Sequence, residues 1–372
     1  MNYIATTFFG LENVLAEELT ALGAENVEKL NRAVSFNGDK LMLYKANYNL
    51  RTALKILVPI FSFNATDNDI FYRRVKKIEW QKFIDVKNTF AIDCVASGDV
   101  FTHSKYMALK TKDAICDYFR EKKGIRPNVD VETPDLRVNV HIYGNKVDIS
   151  LDSTGVPMSR RGYRRSHTIA PINEVLAAGL LKISGWDTQK TLIDPMCGSG
   201  TIAIEAALMA LNIAPGSFRN FAFEKWKDFD VELFKKMKHD CYNAINRGKK
   251  INILAFDIDP AALDIASNNA RNAGVEKMIE FDRKDFFAND NNFRNCLLIT
   301  NPPYGERLED PEKIADFYKR IGDRLKKSYT DCQACIICGN AKAAKSVGLR
   351  ASKKTTLYNG PIECKFMRFD MY

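Results

Sequence analysis

No stretch of this 372-residue chain holds 18 uninterrupted apolar residues, so no membrane-spanning helix is expected. The opening MNYIATTFFGLENVLAEEL lacks the basic and long apolar regions of a secretory signal. Histidine is scarce: the four residues at 103, 141, 167 and 239 show no ligand spacing, and no metal is expected. Low-complexity tracts and long disordered tails are absent as well. Nine cysteines without a secretory signal point to free thiols in a reducing compartment, the cytoplasm. Cys332, Cys335 and Cys338 have C-x2-C-x2-C spacing, but no fourth ligand follows where an iron–sulfur site needs it. The apolar run Gln333–Cys338 reads instead as a buried strand.

What is present is a basic excess of 55 Lys and Arg over 46 Asp and Glu, a net +9. That balance suits a polyanionic partner without proving one. The length predicts two or three domains.

The last 200 residues alternate strand and helix signals. Helices are expected over 171–183, 200–211, 260–273 and 312–328, and strands over 191–194, 251–257, 278–282, 296–300 and 333–338. Two closing strands flank the turn Asn359-Gly360-Pro361. This pattern predicts a doubly wound, mainly parallel α/β sheet with an antiparallel strand added by the final hairpin. The first 155 residues read as α+β. Strands are expected over 3–7, 33–37, 56–63 and 89–95, helices over 11–22, 40–49 and 104–118, and a hairpin around Gly144-Asn145. The expected division is 1–60, 61–155, a basic linker over 156–170, and 171–372.

Asp194-Pro195-Met196-Cys197-Gly198-Ser199-Gly200-Thr201 follows an apolar strand and opens an Ala-rich helix. Its glycines let the backbone approach a ligand, and the helix start offers free N–H groups. It is neither Gly-x-Gly-x-x-Gly nor a Walker A loop, which argues against a dinucleotide or nucleoside triphosphate. Asp257 ends the next strong strand and can accept bonds from ribose hydroxyls, with Ile258 beside it. Asp285 follows the third strand and could contact an adenine amino group, and Phe286 beside it is a further expected cofactor contact. Sixty-three residues separate Asp194 from Asp257, far more than the ~20 of a minimal unit, so 212–250 is an insertion rich in aromatics and lysine.

Thr300-Asn301-Pro302-Pro303-Tyr304-Gly305 follows another apolar strand. Two prolines fix the backbone and remove its amide hydrogens, leaving carbonyl acceptors beside the Asn301 carboxamide. Tyr304 adds a flat π-face. An exocyclic base amine is a poor nucleophile because its lone pair is delocalised. Acceptors at its hydrogens favour positive charge on nitrogen, and stacking holds the base in line.

DPMCGSGTIAIEAA and NPPYGERL resemble the paired motifs of class I amino-methyltransferases. With SLD at 150–152, RRGYR at 160–164 and APINE at 170–174, the chain resembles bacterial 23S rRNA guanine-N2-methyltransferases, often labelled N6-adenine-specific DNA methylases. The resemblance covers nearly the whole chain. It implies a ferredoxin-like domain, a THUMP RNA-binding domain and a Rossmann-like methyltransferase with a mixed seven-stranded sheet. It also implies S-adenosyl-L-methionine as cofactor and ribosomal RNA as partner, with Asn301, Pro302, Pro303 and Tyr304 catalytic and Asn301 also beside the cofactor.

Four arginines crowd the six residues Arg160-Arg161-Gly162-Tyr163-Arg164-Arg165. Arginine forks suit phosphates and Tyr faces stack on bases, so Arg160, Arg161, Tyr163, Arg164 and Arg165 are candidate RNA contacts, with Lys105 a further one. A solvated linker or an internal carboxylate clamp is the competing reading. Two other functions stay open at this point: adenine-N6 methylation of DNA or RNA, and a non-catalytic ribosome-assembly factor that keeps a relic of the fold. Oligomeric state is not legible.

Overall fold

The computed structural model describes residues 1–165, 171–288, 292–303 and 311–372. Two sheets organise them. The first has eight strands, β1 (Asn2–Thr6), β2 (Glu25–Leu30), β3 (Ala33–Asn37), β4 (Lys55–Asn64), β5 (Thr89–Ser97), β6 (Asn128–Val129), β7 (Leu136–Tyr143) and β8 (Lys146–Asp152), in the order β2-β3-β1-β4-β8-β7-β5-β6. Helices α1 (Glu12–Ala21), α2 (Lys40–Asn49), α3 (Asn68–Lys76) and α4 (Ser104–Lys123) cover it.

The expected boundary at 60/61 falls inside β4. One end of that strand pairs with β1 through Lys55–Leu57, and the rest pairs with β8 out to Asn64. The register shifts between Pro59 and Phe61, where Pro59 lacks the N–H a regular ladder needs. A single strand therefore serves two α+β units, each with its own apolar cluster, one around Tyr3, Phe36 and Tyr44 and the other around Phe71, Trp80 and Phe119.

The second sheet holds β9 (Thr191–Asp194), β10 (Ile253–Asp257), β11 (Glu280–Arg283), β12 (Cys296–Thr300), β13 (Gln333–Cys338), β14 (Lys353–Asn359) and β15 (Ile362–Asp370), in the order β11-β10-β9-β12-β13-β15-β14. Pairing is parallel from β11 to β13, and β15 runs antiparallel to both neighbours. Helices α5 (Glu174–Ser184), α6 (Thr201–Ala210) and α8 (Pro260–Asn272) pack on one face, while α9 (Pro311–Ser328) and α10 (Ala341–Ser346) pack on the other. Strand order reverses between β9 and β12, and in such sheets ligands bind beyond the carboxyl ends of the strands at that reversal.

Gln333–Cys338 is the buried strand that its sequence predicts. Side chains alternate along it, so Cys335 enters the cluster on one face and Cys338 the cluster on the other. The two thiols cannot share an iron–sulfur cluster. All nine cysteines are free. Among the described residues, no group of His, Cys, Asp or Glu could hold a metal, and no helix is long and apolar enough to cross a membrane.

The insertion after α6 does not project into solvent. It carries α7 (Val231–Asn243) and buries Phe221, Phe223, Phe234 and Met237 in the N-terminal cluster. The Phe223 ring stacks on Tyr44 of α2 at 4.7 Å. Its lysines reach the second N-terminal unit, Lys227 pairing with Asp85 at 2.9 Å and Lys225 with Asp135 at 3.3 Å. The aromatics seen in the sequence are therefore the adhesive between the halves, and removing one such ring costs about 3–5 kcal/mol.

Candidate functional site

The loop after β9 begins at Asp194, which is buried. Parallel pairing sets Asp194 opposite Ala255, so the ends of β9 and β10 lie side by side. Cys197 N–H donates to the Phe256 carbonyl at 2.8 Å, and Gly198 N–H donates to Asp257 Oδ2 at 2.8 Å. The loop is thus stitched to the β10 terminus. Gly198 and Gly200 hold φ of +52° and +77°, conformations that disfavour a Cβ. A Cβ on Gly200 would also lie 2.9 Å from Ala266 Cβ, so glycine lets α8 close on the loop.

One carboxylate atom here is conspicuous. Asp194 Oδ1 is buried without a hydrogen-bond partner among the described residues. Burial first, and the nearby Asp257 second, hold the Asp194 carboxyl well above its usual range, against the Met196 N–H bond that opposes the shift. A buried acceptor left unmet costs about 1–3 kcal/mol, and such costs cluster where a ligand supplies the missing partner.

Asp257 is half-buried, and its Oδ1 accepts from Asp259 N–H at 3.1 Å. Ile258 is 62% exposed, an apolar side chain left in water at a strand terminus. Asp285 folds into a local turn, accepting from Phe287 N–H at 2.9 Å. The Phe286 side chain departs from the expected cofactor contact. It is buried against Phe287 and Tyr329, which leaves only its backbone for a ligand.

All five residues of β12 are buried, and the strand delivers Asn301 to the same cleft. Asp194, Met196, Cys197, Gly198, Ser199, Thr201 and Asn301 line it together with Pro171 and Ile172. Asn301 Oδ1 and Thr300 Oγ1 are also buried acceptors without partners among the described residues. Pro302 is buried and Pro303 half-buried. Tyr304 lies outside the described residues.

The arginine run requires a correction. Arg161 and Tyr163 are each 1% exposed and cannot touch an RNA. Arg161 Nε and Nη2 donate to the two oxygens of Glu205 at 3.3 Å each, and the Tyr163 hydroxyl donates to Glu205 Oε1 at 3.0 Å. Arg161 also donates to the carbonyls of Arg51 and Met158 at 2.6 and 3.0 Å. The physical reason is Glu205 itself, a carboxylate in the middle of the apolar helix α6, which is intolerable in the core without a cation. Arg164 turns inward too, donating to Thr201 Oγ1 at 2.7 Å and Ile172 O at 2.9 Å and pairing with Glu174 at 3.4 Å. Arg160, Arg165 and Lys105 are exposed.

Sequence reasoning missed Glu205, Arg51 and Glu18. Glu18 of α1 accepts from Thr52 Oγ1 at 2.6 Å and from the N–H groups of Arg51 and Thr52, and Arg51 donates to Ile213 O at 2.7 Å. The available signal was a lone acid in TIAIEAALMA, which demands a buried partner from elsewhere in the chain.

Residues 161–368 match the UPF0020 model, described as RMKL-like, methyltransferase domain, while residues 65–152 match the THUMP domain and 2–57 the RlmL ferredoxin-like domain. The chain is 37% identical to slr0064 of Synechocystis sp. over 375 residues, covering 100% of this chain and 97% of that protein. It is 36% identical to the ribosomal RNA large subunit methyltransferase K/L of Syntrophotalea carbinolica, covering 100% of this chain and 54% of that one. The chain thus spans about half the length of its K/L relatives. Among solved structures, SMU.472 complexed with SAH superposes with a TM-score of 0.90 at 29% identity, covering 100% and 98% of the two chains. With a Rossmann-like seven-stranded sheet, a glycine loop after its first strand and an Asn-Pro-Pro after its fourth, the chain belongs to the UPF0020 family of RMKL-like methyltransferase domains, here preceded by ferredoxin-like and THUMP domains.

Proposed function

We propose that the protein transfers a methyl group from S-adenosyl-L-methionine to an exocyclic base amine in RNA, guanine N2 of 23S ribosomal RNA. The observation that carries the reading is the buried Asn301 carboxamide oxygen, without a partner among the described residues, in the cleft of the 194–201 loop. Relatives named ribosomal RNA large subunit methyltransferase K/L and the SAH-bound neighbour support RNA and this cofactor.

The residues present fit the cofactor. Asp194 offers a buried acceptor without a partner among the described residues, Asp257 a half-buried carboxylate for ribose hydroxyls, Ile258 an exposed apolar surface for adenine, and α6 a helix start for a carboxylate. Pro195, Met196, Cys197, Gly198, Ser199, Gly200 and Thr201 shape the cradle, and the Asp285 turn closes its adenine end. Bound there, S-adenosylmethionine supplies an electrophilic methyl on a sulfonium.

Asn301 Oδ1 accepts a hydrogen from the base amine. That bond withdraws the nitrogen lone pair from ring delocalisation and stabilises the positive charge that grows on nitrogen. Pro302 and Pro303 contribute carbonyls and no competing N–H groups. Tyr304 provides the stacking face, which requires the nucleotide to leave its helix. No strong general base is needed, since an alkylated amine loses its proton readily. Exposed Arg160, Arg165 and Lys105 are left for phosphate contacts.

Methyl-labelled cofactor incubated separately with 23S rRNA and duplex DNA tests the reading. Label is expected in rRNA as N2-methylguanosine. Label entering only DNA, as N6-methyladenine, would reject it.

A further inference from the structure

Three cavities adjoin along the seam between the N-terminal sheet and the methyltransferase domain. The first, about 550 Å3, lies against β5 and β7 and includes Arg137, Arg160, Asn220 and Lys225. The second, about 860 Å3, shares Val156, Arg160 and Asn220 with the first and adds Ser159, Arg219 and Asn173. The third is the cofactor cleft, which shares Pro171 with the second. The two larger cavities each fall within the ~300–1,000 Å3 that bound ligands occupy. The first two therefore form one trough along the linker, Pro171 stands between it and the cleft that holds Asn301, and the insertion after α6 supplies a wall through Arg219, Asn220 and Lys225.

The trough is cationic where it bends. Arg160 is exposed and has no carboxylate partner among the described residues. Arg219 donates to the carbonyls of Pro157, Arg160 and Val156, which fixes the linker, and its buried Nε has no acceptor among the described residues. Burial lowers Arg219 to about 10, so it is charged at neutral pH. The acids on the walls are mostly engaged: Glu174 pairs with Arg164, and Asp93 pairs with Lys55 and Arg137. The floor also touches the catalytic machinery, because Arg164 lines the second cavity and donates to Thr201 at the start of α6.

We propose that this trough holds the single-stranded sugar-phosphate chain next to the target nucleotide, with a phosphate at Arg160, the fixed charge of Arg219 behind it, and Ser159 and Asn220 as its walls. The proposal rests on RNA being the substrate. A concave, cationic, non-planar groove suits the backbone of an extruded strand rather than a stacked duplex. It gives the insertion a second task, as a wall that directs the strand toward Asn301.

Ser159 and Asn220 make no side-chain hydrogen bonds among the described residues, so they can be changed without unstitching the fold. In the full-length protein, Ser159→Glu with Asn220→Glu should weaken binding of a 23S rRNA fragment containing the methylated nucleotide at least about tenfold. Affinity for S-adenosylmethionine, measured by calorimetry, should stay unchanged. Asn220→Lys should tighten RNA binding and steepen its salt dependence by about one. With 4-thiouridine beside the target nucleotide, photo-crosslinks should fall in 156–160 or 219–225. If the wild type methylates the fragment while the double glutamate variant binds it as well as wild type, or crosslinks map only elsewhere, the trough is overturned and the function stands. If the wild type neither binds nor methylates any rRNA, the function itself fails.

Discussion

Two buried acids frame helix α6, and their surroundings are opposite. Glu205, inside the helix, is 0% exposed and saturated by Arg161 and Tyr163. Asp194, seven residues before the helix, is 1% exposed and keeps an oxygen without a partner among the described residues. Burial is the same, and satisfaction is what differs. A buried carboxylate whose partners all come from the chain is part of the scaffold. One whose partner is missing is set up for a ligand. The same contrast separates Arg161, spent on the interior, from its exposed neighbour Arg160, which has no carboxylate partner among the described residues.

The largest expected effect tests the saturated side. Arg161→Met leaves Glu205 buried and uncompensated, which should cost about 3–5 kcal/mol of stability in urea unfolding. The double variant Arg161→Met with Glu205→Leu should recover most of that loss. If the single change is tolerated within the error of the measurement, Glu205 is not held as described.

Asn301→Ala acts on the unsatisfied side. Turnover should fall by about 10²–10³, the scale of a lost transition-state hydrogen bond, while calorimetric cofactor affinity stays nearly intact. Collapse of cofactor binding instead would move Asn301 from the amine to the cofactor.

The next effect is a pH dependence. Asp194 is held above its ordinary value, so the folded state keeps a proton that the unfolded state releases at lower pH. Its contribution to stability therefore declines as pH rises from the unfolded carboxylate value through the raised folded one. Asp194→Asn removes that decline. As pH rises above the ordinary carboxylate range, the variant without cofactor should gain stability relative to wild type, and it should lose cofactor binding at the same time. A variant that tracks wild type across the range would show that Asp194 is ordinarily solvated.

The smallest effect belongs to Arg160. Arg160→Ala should leave stability within about 0.5 kcal/mol and reduce the salt slope of RNA binding by about one. An unchanged slope with an intact fold would return Arg160 to an unoccupied surface.

These contrasts explain what was legible in the sequence. Strands β9, β12 and β13 are short apolar runs between breakers, so their ends are readable, and the loops after β9 and β12 inherit a definite place from them. Helix α2 is equally plain, with Asp39 capping it through Met42 N–H. By contrast β2, Glu25–Leu30, is mostly exposed and shows no alternation of apolar residues, so tertiary pairing alone makes it a strand. Helix α4 runs to Lys123 because its last turn is solvated Lys and Arg closed by Gly124 in a left-handed conformation, where an apolar pattern has nothing to report.

The direction of a charged side chain was the least legible feature. Composition places Arg160 to Arg165 in one basic run, but the carboxylates that turn Arg161 and Arg164 inward lie at 205 and 174. Only the packing of α5, α6 and the linker brings them together. The insertion is similar, since its aromatics were visible while their destination on α2 was not.

The most direct test of the central claim is to map methylated nucleotides in 23S rRNA from cells with and without the gene. The account predicts one N2-methylguanosine lost with the gene, restored by the wild-type protein and not by Asn301→Ala. Unchanged rRNA methylation, with loss of N6-methyladenine from DNA, would contradict it.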